Sequence, residues 1–299
     1  MLFWQVLIDG FAISALYALG ATGFTLIFGV SGVLNLSHGS LMVAAAIAAW
    51  AANAELGLGP YFGAVFGVLV GVGLALATYG AVVRPIQRST LIRNEEREIF
   101  ILTATLLWGI IIQELIAYLY SDSAKTVLPI VSGVVQLAGV RTPANEIFTA
   151  VICWLAIGIL WLLVNRTRTG KAVMAASMNA RGVTLLGIEL SNIYIVVWII
   201  YGTLAGIAGV LLGMFLGVSS YSAGALTGSA FSIVVLGGLG SVSGSLIAAY
   251  IVGYIETLTA YFDQIFGTSF GSTSYRFIPA LLLLIVVMYV RPRGLLGRR

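Results

Sequence analysis

The chain has 299 residues, 60% of them hydrophobic and only 9% charged, with a formal net charge of +4. A water-soluble domain carries roughly 25% charged residues, and a mean hydropathy of +1.06 demands more burial than one core provides, since even a 300-residue domain hides only ~75% of its extended surface. These figures exclude a soluble globular protein and place the chain in lipid. The basic balance does not point to nucleic acid, because the arginines and lysines fall in short clusters between apolar runs, as orientation signals do. A lone cysteine, Cys153, leaves no internal disulfide and no multi-cysteine metal site.

A helix needs about 20 apolar residues to cross the hydrocarbon core. Nine candidate segments lie near residues 4–29, 40–54, 60–83, 99–121, 147–164, 193–217, 226–240, 244–262 and 276–290. The second, seventh and last are short, so the expected fold is all-α: one polytopic transmembrane bundle over residues 1–299, with about eight or nine spans and broken or re-entrant helices.

The first segment opens with MLFWQVLIDGFAISALYALG, which has no basic leader and no obvious cleavage site, so it reads as a span and not as a removable signal. It carries Asp9, an ionisable group that costs roughly 2.5 to 3.5 kcal/mol near a helix centre. Glu114 and Glu256 stand in comparable surroundings further on. All three are functional candidates unless they sit near helix ends and reach the interface.

After this segment, GVSGVLNLSHGSLMVAAAI, from Gly29 to Ile47, sets Asn35, Ser37, His38, Gly39 and Ser40 among apolar residues. Such a break frees backbone groups and helix ends, which can meet a polar solute where they line a cavity or lie buried in protein. Equally, the glycines can supply positive φ, and Asn or Ser a cap, in a tight turn. His38, the only histidine, titrates near neutral pH and is either a proton relay or a structural hydrogen-bonding residue.

Gly63, Gly67 and Gly71 recur at helical spacing in the third segment, as do Gly202, Gly206, Gly209, Gly213 and Gly217 in the sixth. Small-residue stripes let helix backbones approach closely in lipid, so tight packing is expected ahead of pore lining. Arg84, Arg88, Arg93 and Arg97 follow the third segment, Arg166, Arg168, Lys171 and Arg181 the fifth, and Arg291, Arg293, Arg298 and Arg299 the last. The positive-inside rule makes these regions cytoplasmic. The loops at 122–146 and 263–275 hold only Lys125 and Arg141 between them and are expected outside, with the N-terminus also outside and the C-terminus cytoplasmic.

The cytoplasmic stretch NRTRTGKAVMAASMNARGVTLLGIELSN, from Asn165 to Asn192, is expected to hold a short amphipathic helix over Lys171–Ala180, capped by Thr169, with Gly182 and Gly187 bracketing a second turn. An ordered helix there suits docking of a partner or contact with the membrane surface. Gly170-Lys171-Ala172 lacks the preceding glycine and following Ser or Thr of a phosphate-binding loop, so ATP hydrolysis by this chain is not expected. Nucleophile elbows, HExxH pairs and metal-spaced carboxylates are likewise absent from the sequence.

A second break, GGLGSVSGSLIAAYIVG, spans Gly237 to Gly253, and its SGSLIAAY resembles the earlier HGSLMVAA. Paired breaks in two halves of a chain point to a transport pathway.

Three groups of residues carry a family resemblance. Asn35-Leu36-Ser37-His38-Gly39 looks like a family pattern N-[FLM]-[AS]-H-G. Gly237-Gly238-Leu239-Gly240-Ser241-Val242-Ser243-Gly244 looks like G-G-x-G-[ST]-x-x-G. Thr167-Arg168-Thr169-Gly170-Lys171-Ala172, with Gly187-Ile188 further on, resembles a coupling segment. Together they resemble the permeases of branched-chain amino acid ABC importers, in particular the smaller of their two permease subunits, over the whole chain.

The resemblance implies alternating access in a bacterial inner membrane. Its pathway residues would be Asn35, Ser37, His38, Gly39, Gly237, Gly238, Gly240, Ser241, Ser243 and Gly244. Gly170, Lys171, Ala175, Asn179, Gly187 and Ile188 would face the ATPase. The implied partners are a second permease, two ATP-binding subunits holding ATP and Mg, and an external solute-binding protein. An arginine is usual in the family at Met174 and an acidic residue at Asn179. Urea or short amides are alternative cargoes, and an ion-coupled secondary transporter using His38 and Glu256 is an alternative class.

Overall fold

The computed structural model describes residues 2–93, 95–137, 139–266 and 278–297. Helix α1 (Leu2–Ser31) is followed by α2 (His38–Ala54) and α3 (Pro60–Ala77). A π-helical segment, Thr78–Val83, carries α3 into α4 (Arg84–Arg88), and α5 (Arg97–Tyr120) follows. A hairpin of β1 (Val134–Leu137) and β2 (Val140–Pro143) leads to α6 (Ala144–Arg166), α7 (Arg168–Met178), α8 (Ala180–Leu185), α9 (Leu190–Phe215), α10 (Ser222–Gly237), α11 (Val242–Phe266) and α12 (Ile278–Val290).

Every apolar segment of the sequence lies on a helix, so the all-α bundle with broken helices is the fold. Among the described residues, six helical stretches are long and apolar enough to cross a membrane, and Ser222–Gly237 and Leu281–Val290 are shorter apolar helices. Three expectations change. Residues 263–266 continue α11 instead of starting a loop, while 267–277 lie outside the described residues. The loop at 122–146 contains the hairpin, which hydropathy does not register. Gly217 lies beyond the end of α9 with φ +73°, so it serves a turn and not the helix stripe.

Helix α1 is central: 89% of its most apolar stretch is buried, against 28% for α3 with its extension, 28% for α5 and 33% for α6. It packs along α11, α9, α6 and α10. The outer helices turn Phe62, Val65, Leu69, Ile110, Leu155 and Ile159 outward, as helices facing lipid do.

The glycine stripes pack backbones together. A Cβ on Gly71 would lie 3.0 Å from the Cα of Gly206, and one on Gly209 would lie 2.1 Å from the carbonyl oxygen of Met42. Because lipid supplies no hydrophobic drive between helices, such close approach is how dispersion contacts accumulate. It clamps α3 and α2 onto α9.

Alternation of the helices gathers the basic residues that are described, apart from Lys125 and Arg141, at one end of the bundle. There the end of α1 meets the α10–α11 turn through Gly29 and Gly240, Arg97 donates to the Ser89 carbonyl at 2.8 Å, and α7 folds back against α1, α6 and α9. At the opposite end Lys125 sits over the Trp50 ring at 4.6 Å, and Asn145 donates to the Met214 carbonyl at 3.0 Å.

Candidate functional site

The chain leaves α1 at Ser31, turns at Gly32 with φ +65°, and runs back into the bundle before α2 begins at His38. The neighbours of Asn35–Ser40 are Gly20 on α1, Tyr201 on α9 and Gly109 on α5. At 1.5 Å per residue each lies roughly 16 to 18 Å along its helix from the arginine-rich end. Helix α2 therefore starts at mid-depth, and its first turn is buried.

Backbone and side-chain polar groups at that depth must find protein partners, and this segment finds them on three helices. Asn35 Nδ2 donates to Tyr201 Oη at 3.0 Å, while Asn35 Oδ1 accepts from Ser37 N at 3.1 Å and Ser37 Oγ at 2.7 Å. Leu36 N donates to Thr105 Oγ1 on α5 at 3.2 Å, and Ser40 Oγ donates to the Gly109 carbonyl at 2.8 Å. Gly39 N donates to Thr227 Oγ1 on α10 at 2.9 Å. Asn35, Ser37 and His38 are all buried.

His38 Nδ1 lies 2.9 Å from Tyr201 Oη. Because that hydroxyl accepts from Asn35, its own proton is free to go to Nδ1, while Nε2 is buried and has no hydrogen-bond partner among the described residues. Phe24 stands edge-on to the ring at 5.4 Å between centroids, and among the described residues no acidic group bonds to it. The arrangement gives His38 a hydrogen bond to α9 and a ring contact to α1.

Gly39 and the late motif perform one task at the two ends of α10. A Cβ on Gly39 would stand 2.0 Å from the Ala223 carbonyl oxygen, and one on Gly244 would stand 2.1 Å from that of Gly237. The likeness between HGSLMVAA and SGSLIAAY has a structural meaning: each octet lies within the opening turns of a helix, α2 or α11, pressed on α10.

The late motif itself, however, is a turn at the arginine-rich end. Gly238 and Gly240 have φ of +104° and +81°, and Ser241 Oγ accepts from Gly244 N at 3.2 Å to cap α11, while Ser243 is exposed. Leu295 N and Leu296 N of the tail donate to the carbonyls of Leu236 and Gly237 at 2.8 and 3.0 Å. The two motifs thus sit at different depths, and the late one is tied to α1 by the Thr25–Ser245 hydroxyl pair, 2.6 Å apart, and by the close approach of Gly29 to Gly240.

In the coupling segment the cap is Thr167, whose Oγ1 accepts from Gly170 N at 2.9 Å, and not Thr169; the helix runs from Arg168 to Met178. Asn179 is a break whose side chain caps α8 through Gly182 N at 2.8 Å, so Gly182 lies inside a helix and does not bracket it. Gly170, Val173 and Ala176 face the bundle, and Gly170 allows α7 to touch the backbone of Leu163 and Val164. Lys171, Ala175, Gly187 and Ile188 face outward. Met178, Leu185 and Leu186 are also exposed, at 64%, 83% and 79%, an apolar patch among charged residues that sequence reasoning passed over.

Of the intramembrane acids, Asp9 accepts from Tyr261 Oη, and Glu256 Oε2 accepts from Tyr17 Oη at 2.6 Å. Glu114 is exposed on α5. Glu146, not anticipated, is buried beside Asp9. Among the described residues no cluster of His, Cys, Asp and Glu could hold a metal ion.

A polytopic bundle of apolar helices, one of which starts at mid-depth behind neutral hydrogen bonds, is the architecture of a multi-pass membrane protein. The chain belongs to the family described as branched-chain amino acid transport system / permease component, whose model matches residues 6–288. It is 30% identical to the high-affinity branched-chain amino acid transport system permease protein BraD of Pseudomonas aeruginosa, covering 98% of this chain and 95% of that one. It is 28% identical to LivH of Escherichia coli K12, over 99% and 96% of the two chains. The ribose import permease protein RbsC of the same organism is 29% identical over 80% of this chain and 73% of its own length. The chain is therefore a permease subunit of the ABC-importer kind and not an enzyme.

Proposed function

We propose that this permease carries branched-chain or other neutral amino acids inward by alternating access, as one half of a pore completed by a second permease. Two ATP-binding subunits, which hold ATP and Mg, dock on the outward face of α7 and α8, and an external solute-binding protein delivers the cargo to the opposite end. The observation that carries this reading is the near full-length likeness to permeases named for branched-chain amino acids. The exposed Met178, Leu185, Leu186 and Ile188 support the docking surface, because apolar side chains at a basic, water-facing end call for a cover. That end is the cytoplasmic one by its arginines, and the opposite end, with the N-terminus, is external.

The buried segment around Asn35 offers mostly satisfied neutral bonds, which suits a scaffold beside a conduit more than a tight binding site. Uptake of labelled leucine and urea into proteoliposomes holding this chain with its co-purifying subunits tests the proposal. ATP-dependent leucine uptake that needs the external binding protein is expected. Urea uptake in its place would reassign the cargo, and uptake by this chain alone on an ion gradient would overturn the class.

A further inference from the structure

A cavity of about 380 Å³ opens at the arginine-rich end, between the π-helical segment with α4 on one side and the start of α9 on the other. Arg84, Gln87 and Arg88 line the first wall, Ser191 and Tyr194 the second, and Tyr79 is buried behind them. No acidic residue lines it. Among the described residues the guanidinium–carboxylate contacts are those of Arg93 with Glu95 and Glu96, so no carboxylate touches Arg84 or Arg88. Arg84 is partly buried, and its Nε is shut off from solvent without a hydrogen-bond partner. Leaving part of a guanidinium in that state is unfavourable, and an anion in the cavity would offset it.

The local fold aims these groups. Arg84 and Arg88 stand four residues apart on α4, so they share a face. The π-helical segment before them, a rare form concentrated at functional sites, sets the direction of that face. A guanidinium fork matches the paired oxygens of a phosphate, and the Gln87 amide and the Ser191 and Tyr194 hydroxyls add neutral donors. The volume far exceeds a single small ion. On α9, Ser191, Ile195 and Ile199 fall on one helix face, and Ile199 is 39% exposed, so an apolar strip rises from the cavity along the membrane-facing surface.

We propose that this pocket seats the phosphate group of an anionic membrane lipid, with the acyl chains lying along the α9 strip. Basic pockets between helices at the cytoplasmic surface recognise such headgroups. The inference rests on the membrane-spanning fold and not on the transported solute, so its fate is separate from the cargo assignment.

The test uses the full chain purified from membranes in mild detergent, with phosphatidylglycerol, phosphatidylcholine or inorganic phosphate added. Lipid retention is read by native mass spectrometry and stability by the thermal midpoint. Phosphatidylglycerol should be retained and should raise the midpoint, whereas the other two at equal concentration should not. The R84Q/R88Q variant should retain it about tenfold less, as loss of two bidentate charge-assisted contacts implies, whereas Arg93→Gln should behave as the parent.

Equal retention by R84Q/R88Q, or equal retention of the two lipids, overturns the proposal. A response to inorganic phosphate without one to phosphatidylglycerol keeps the oxyanion site but overturns the lipid as its source. Loss of co-purifying subunits with lipid retention intact would give the pocket to a protein partner and overturn it as well. If R84Q/R88Q fails to fold, Arg84→Lys, which keeps the charge and loses the fork, decides: weakened retention supports the site, and unchanged retention sinks it.

Discussion

At its first turn α10 meets Gly39 and at its last residue it meets Gly244, and in both places a helix backbone presses on a carbonyl oxygen with no room for a methyl group. The first contact lies at mid-depth and is accompanied by hydrogen bonds from Asn35, Leu36, Gly39 and Ser40 to α5, α9 and α10. The second lies at the arginine-rich end and is accompanied by backbone bonds from the tail. The same glycine device therefore acts with different support. Where water is excluded, side chains must complete the hydrogen bonding; near the surface, backbone and solvent suffice.

Paired alanine substitutions test that difference. Gly39→Ala forces a Cβ onto the Ala223 carbonyl and the Thr227 backbone, and a packed interior site relaxes little, so a loss of about 3 kcal/mol is expected, seen as collapse of folded protein in membrane extracts. Asn35→Ala leaves Tyr201 and Ser37 short of partners and should cost about 2 kcal/mol, read from the thermal midpoint. Gly244→Ala makes an equally short contact beside a turn that can shift, and about 1.5 kcal/mol is expected. If it costs as much as Gly39→Ala, depth is not what separates the two ends.

Smaller effects sharpen the same contrast. His38→Ala should lower transport modestly and leave its pH profile in place, because the imidazole bonds to Tyr201 and faces an apolar ring; abolished uptake with a displaced profile would revive proton coupling. Gly187→Ala meets no atom within 4 Å but sits at φ +79°, so a loss of about 1 kcal/mol is expected, read from the thermal midpoint. Gly187→Glu, by contrast, should uncouple ATP hydrolysis from uptake, and coupling that survives would remove α8 from the docking surface.

Hydropathy located the helices because a span is a local property of about 20 residues. The partners of the buried segment are not local: Tyr201 and Thr227 are separated from Asn35 and Gly39 by 166 and 188 positions. Only the polar residues within apolar runs hinted at them. The π-helical segment left no hydropathy signal, since Thr78–Val83 is apolar on either geometry. Thr169 looked like a cap because it precedes Lys171, but Thr167 takes that place, since Gly170 must be helical to reach α6. Asn179 carries a role that the sequence did not show: its exposed side chain breaks the segment and caps α8.

The bonds from Leu295 and Leu296 to Leu236 and Gly237 also say something about the order of manufacture. Helices α10 and α11 are synthesised before the segment that closes their connection. Until it docks, those two carbonyls need another partner, and water can serve them because the connection lies at the end of the bundle. A protein inserted close behind Leu296 would crowd that last step, so a reporter attached to the tail needs a linker long enough to let the tail dock.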